Sequence, residues 1–224
     1  MRLSKLFLAV IFIGSISLAA PAFADNVTLI GANGSVVGGV YVAPYQLQDS
    51  SIQGGATINV VCDDYYNDVI PGETWTATTE MFNSNGSISS GAMFSGQANS
   101  KTEYDTAIYL YSEYLSGTAD AAGMNYAIWG IFDPSVVNTS AYKSTDAGTL
   151  LAGVTLSDLT SFQYYSSYGL ITPSGVGSTG TEPQEYIFTT PEPSALLLLA
   201  SGLFALAFLK RKSSQANPNA LRQS

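Results

Sequence analysis

Ser100-Lys101-Thr102-Glu103-Tyr104-Asp105-Thr106-Ala107-Ile108-Tyr109-Leu110-Tyr111-Ser112-Glu113-Tyr114-Leu115-Ser116-Gly117 is where the apolar period of this chain changes. Tyr104, Ile108, Tyr111 and Leu115 recur at spacings of four and three, which places them on one face of a helix. Ser100 and Glu103 have the spacing of a capping box at its start, and Gly117 stops it. Before this stretch the pattern is that of strands. Val27–Ile30, Ser35–Val42 and Thr57–Cys62 are rich in β-branched residues, and Thr74–Glu80 alternates. Asn33-Gly34 and Gly38-Gly39 supply turns or bulges, and Asn83–Gly96 is a Ser/Gly/Asn-rich loop. After it, a second helix is expected from Asp120 through Tyr126 and Trp129, ended by Asp133-Pro134. A third runs from about Thr145 to Val154. Strand character returns at Phe162–Tyr165, a glycine-rich loop follows over Gly169–Pro183, and Glu185–Thr189 forms a closing strand. Strands flanking a helical insertion define an α+β class: one β-dominated domain, sandwich or barrel-like, with a two- to three-helix insertion.

The ends of the chain are of a different kind. Arg2 and Lys5, the apolar Leu6–Leu18, and Ala22-Phe23-Ala24 have the order of a secretory signal peptide over residues 1–24, cut before Asp25. The exported domain is then 25–190. At 191–212 stand Pro191-Glu192-Pro193, an uncharged apolar run from Ser194 to Leu209, and Lys210-Arg211-Lys212. A helix over that run reaches about 24 Å, enough for a transmembrane helix with snorkelling at its basic end, which is expected to stay cytoplasmic. Residues 213–224 form a polar cytoplasmic tail.

The order of those three features resembles the PEP-CTERM sorting signal of Gram-negative bacteria. The resemblance implies that Pro191, Glu192, Pro193, Lys210, Arg211 and Lys212 are read by an exosortase-type membrane protease, which removes the helix. It also implies passage through the inner membrane, anchoring by the C-terminus, and a final place at the cell surface or outside it, in a system with extracellular polysaccharide or biofilm.

Charge and composition narrow what the domain does. Residues 25–190 carry sixteen carboxylates against Lys101 and Lys143, a formal charge of −14. Such a surface repels nucleic acid and anionic lipid. The chain has no histidine, which removes Ser-His-Asp and Cys-His nucleophiles and His-ligated zinc. Cys62 is the lone cysteine, so no intrachain disulfide forms. Asp63, Asp64 and Asp68 offer hard oxygens that could take Ca²⁺, or could form a solvated turn; no other cofactor is expected. All 14 tyrosines and both tryptophans lie between Tyr41 and Tyr186. Exposed ones could stack on sugar rings, whereas Tyr104, Tyr111 and Tyr126 have the helical spacing of core residues.

Val61-Cys62-Asp63 and Met124-Asn125-Tyr126-Ala127-Ile128-Trp129 together resemble the thioester domains of bacterial surface adhesins. There a cysteine follows a β segment, and a Thr-Gln-x-Ala-Ile/Val-Trp motif lies on a later helix. The resemblance implies Cys62 and Asn125 as the thioester-like pair. Met124 stands where the motif has threonine and Asn125 where it has glutamine. The shorter asparagine draws the carbonyl carbon about 1.5 Å toward its own backbone. The expectation is a buried free thiol on a thioester-type scaffold, in an exported, exosortase-sorted structural or adhesive protein of the envelope or extracellular matrix, with no enzymatic activity. A covalent adhesin acting through Cys62 and a polysaccharide-binding or polysaccharide-cleaving module remain the other two classes.

Overall fold

The computed structural model describes residues 24–50, 52, 54–88, 90–190 and 201–204. The expected signal peptide except Ala24, most of the sorting signal with its expected transmembrane helix, and the expected polar tail lie outside the described residues. Among the described residues no helix is long and apolar enough to cross a membrane.

Six strands close into an antiparallel barrel. They are β1 (Ala24–Ala32), β4 (Tyr45–Asp49), β5 (Thr57–Cys62), β6 (Thr74–Met81), β7 (Tyr168–Pro173) and β8 (Tyr186–Thr189), in the spatial order β1-β4-β5-β8-β7-β6. The short hairpin β2 (Val36–Val37) and β3 (Val40–Tyr41) stands apart, turning at Gly38 and Gly39 with φ of 64° and 90°. Those angles favour glycine. Between β6 and β7 come the helices α1 (Ser100–Leu115), α2 (Ala121–Phe132), α3 (Ser140–Lys143), α4 (Ala147–Gly153) and α5 (Leu156–Ser161).

Register decides which side chains fill the barrel. Cys62 pairs with Tyr186 and Tyr186 with Ile171, so those three share the inner face with Val60 and Phe188. Tyr45 and Leu47 oppose Val60 and Ile58 and join them, as does Trp75 through Val27. Tyr186 meets Tyr45 edge-on at 5.7 Å and stacks on Trp75 at 6.1 Å. Val61, Ile187 and Leu170 point the other way, yet all are buried. Helices α1 and α2 cover that outer wall, with the Tyr111 hydroxyl donating to the Asn59 carbonyl at 3.2 Å. A wall buried on both faces explains why Val60-Val61-Cys62 and Tyr186-Ile187-Phe188 are buried in succession, whereas Thr57, Ile58 and Asn59 alternate.

The closed barrel and the helical insertion realise the expected β-dominated architecture, with several local differences. Strand β4 was not anticipated, although Tyr45 and Leu47 alternate with Gln46 and Gln48. Phe162–Tyr165 is no strand. It links α5 to a 3₁₀ turn at Tyr165–Ser167, and β7 begins at Tyr168 and occupies the first part of the expected loop. Gly169 is a packing glycine there: a Cβ would lie 2.5 Å from the Phe188 ring. Helix α1 is capped by Asn99 rather than Ser100 and lacks a side-chain cap, because it starts a residue early and carries Ser100 into its first turn. The capping box of this chain is Thr155 with Asp158 at the start of α5. Leu115 is half exposed in the last turn of α1, while Tyr104, Ile108 and Tyr111 are buried as their spacing requires. Helix α2 matches expectation closely, with Asp120 accepting from the amides of Ala122 and Gly123.

Candidate functional site

The end of β5 and the middle of α2 meet at Cys62 and Asn125, both with no exposed surface. The Asn125 amide is fully used. Its Nδ2 donates to the Cys62 carbonyl at 2.8 Å, and its Oδ1 accepts from the Ala43 amide at 2.7 Å. One side chain therefore fastens helix α2 to β5 and to the segment before β4. The Cys62 sulfur points elsewhere and donates to the Asp64 carbonyl at 2.9 Å. Burial pushes the thiol's pKa well up, and the neighbouring acidic side chains add to it. The backbone of Asp64 opposes that rise. The thiolate, the reactive form, is thus strongly disfavoured. Ala127, Ile128 and Trp129 pack in the core around the pair.

The three acidic residues after Cys62 diverge. Asp64 accepts from the amides of Tyr66 and Asn67 and, at 2.6 Å, from Asn67 Nδ2, which folds the segment into a turn. Asp68 is exposed. Asp63 turns inward, fully buried, and its carboxyl faces Glu185 at the start of β8. Glu185, also buried, accepts from the hydroxyls of Tyr104 and Thr172 and from the Met93 amide at 2.9 Å. Burial raises the Asp63 pKa well above the carboxylate range, and the Glu185 charge adds to it; burial raises Glu185 as well. Asp63 is the one held protonated, since the ring of donors around Glu185 favours a charge there. Among the described residues no group of three or more acidic or cysteine side chains is placed to hold a metal ion.

Above this layer the chain opens into a cleft of about 250 Å³. One wall is the loop after β5, with Tyr65, Tyr66 and Asp68; the other is the β3 hairpin with Tyr41; Trp129 lies at the base. The aromatic rings form a ladder from surface to core. Tyr66 meets Tyr65 edge-on at 6.0 Å, Tyr65 meets Trp129 at 5.2 Å, and Trp129 meets Tyr126 at 5.0 Å. Tyr66 is 71% and Tyr41 51% exposed. The tyrosines singled out by helical spacing, Tyr104, Tyr111 and Tyr126, are all core residues, and different ones face solvent. Tyr65-Tyr66 could have been picked out as aromatics in a turn between strands, where burial is not guaranteed.

Comparison with known proteins bears on the C-terminal segment. Residues 189–212 match the family model of the PEP-CTERM protein-sorting motif. That motif marks an exported chain whose membrane-associated sorting to the cell surface runs through exosortase, itself a membrane protein. No curated protein and no solved structure matches the chain.

Proposed function

We propose that the sorted domain is a structural or adhesive module of the cell envelope or extracellular matrix, associated with biofilm or exopolysaccharide and without catalytic turnover. The observation that supports this is the Asn125 amide. It spends both of its ends on backbone groups, so the residues most suggestive of chemistry serve to join helix and barrel. The covalent-adhesin reading is the second one, favoured by the direct contact of Asn125 with Cys62 next to Trp129.

One experiment addresses both. The chain is expressed in an exosortase-containing host, alongside a variant with alanine at Pro191, Glu192 and Pro193. The wild type is expected to lose its C-terminal helix and reach the surface, with the variant retained uncleaved in the inner membrane. Equal location and mass for the two would refute the sorting role. Intact mass of the processed wild type is expected to show every atom of Cys62 and Asn125 present. A deficit of one ammonia, with capture of added amines, would replace the non-covalent reading by the covalent one.

A further inference from the structure

Tyr66 is exposed yet held in place. Its hydroxyl shares a 2.8 Å hydrogen bond with Ser135, beyond the end of α2. Its backbone amide donates to Asp64 at 3.0 Å, and its ring abuts Tyr65, which in turn rests on Trp129. A ring 71% open to solvent is therefore fixed from three sides. Nothing in packing requires this, because a side chain that exposed contributes little to the core. Fixing it in advance removes an entropic cost that a ligand would otherwise meet. Tyr41 across the cleft is 51% exposed and Ile70, on the same loop as Tyr66, is 57% exposed; both offer further apolar surface.

The chemistry of the walls selects a ligand class. Tyrosine faces stack on the apolar C–H face of a sugar ring, and the Asp68 carboxylate accepts hydrogen bonds from the hydroxyls at its edge. The same carboxylate, on a domain of formal charge −14, repels anions. The volume, about 250 Å³, lies below the roughly 300–1,000 Å³ of sites that engulf a drug-sized molecule. It suits one or two units of a longer chain that continues into solvent. We propose that the cleft between Tyr41 and Tyr66 is a saccharide site that takes a uncharged, hydroxyl-rich polysaccharide segment against the fixed Tyr66 ring. This deepens the adhesive reading and rests on it for an extracellular source of sugar.

The test uses the full chain in detergent, with cello-, chito- and mannohexaose as neutral probes and polygalacturonate as the anionic one. At least one neutral hexaose is expected to bind by calorimetry and to change the Trp129 fluorescence, with polygalacturonate inert. Tyr66→Ala should weaken binding about tenfold or more, the scale of one lost stacking contact. Ser135→Ala, which keeps the ring but frees it, should weaken binding by a smaller factor at unchanged melting temperature. Leu156→Ala, on an exposed helix elsewhere, should bind as wild type. The proposal is overturned if no neutral hexaose binds at millimolar concentration, if Tyr66→Ala binds as tightly as wild type, or if polygalacturonate competes equally. A chain sorted to the surface that binds no sugar overturns the cleft alone. A chain that binds sugar but escapes exosortase overturns the sorting role alone.

Discussion

Asn125→Ala removes two hydrogen bonds at once and leaves both partners behind. The Ala43 amide and the Cys62 carbonyl, bonded at 2.7 and 2.8 Å, would be stranded among residues with no exposed surface. A buried polar group left unpaired costs about 1–3 kcal/mol. Two such groups give about 2–6 kcal/mol, and the vacated amide volume adds a cavity contribution of the same sign. At the roughly 2–4 °C per kcal/mol appropriate to a domain of this size, the melting temperature should fall by about 5–20 °C. Urea titration followed by tryptophan fluorescence is the assay, read as a shift in midpoint at constant slope. Asn125→Gln retains the amide but forces a methylene into a packed site, at about 1–3 kcal/mol. It should therefore lie between wild type and alanine. An alanine variant within about 0.5 kcal/mol of wild type, the range of an ordinary surface change, would show that the Asn125 clamp does not join α2 to the barrel as argued.

Two further outcomes follow from the same buried layer. The Asp63 pKa is raised on folding above the ordinary 3.8, so its contribution to stability is complete below that value and is lost as pH rises toward the folded pKa. Asp63→Asn, which is neutral at every pH, should stabilise the protein at pH 7 and flatten the fall of its urea midpoint between pH 4 and 8; parallel curves for variant and wild type would contradict a protonated Asp63. Cys62 should resist alkylation in the folded protein and react fully in denaturant, as counted by mass, since its thiolate is disfavoured by burial; rapid labelling under native conditions would place the sulfur at the surface instead.

How much of this could be read from the residues depends on whether the signal is local. Helix α2 could be placed because Asp120 marks its start and Asp133-Pro134 its end. Strand β5 was placed with its observed bounds because Thr57–Cys62 is β-prone throughout. Strand β7 could not, since Gly169 reads as a loop residue until the Phe188 ring above it is known. The neighbourhood of Cys62 and Asn125 was suggested by motif order, but the use of Asn125 as a clamp depends on Ala43, 82 positions earlier. The Asp63–Glu185 pair is separated by more than a hundred residues and joined only by the β5–β8 register, so no local pattern announces it. The same holds for Tyr66, whose fixed orientation comes from Ser135 on the far side of α2.

Strand β8 lies between β5 and β7, bonded on both sides, and Thr189 at its end is two residues short of Pro191. A chain emerging N-terminus first can pair β1, β4, β5, β6 and β7 as a five-stranded open sheet, with β5 and β7 as bare edges. It cannot seal that sheet, nor bring Glu185 to the waiting Asp63, until its final strand is free. The seam therefore closes last, within a few residues of the segment that exosortase recognises. The strand that completes the described barrel therefore stands directly before the Pro-Glu-Pro signal in the sequence.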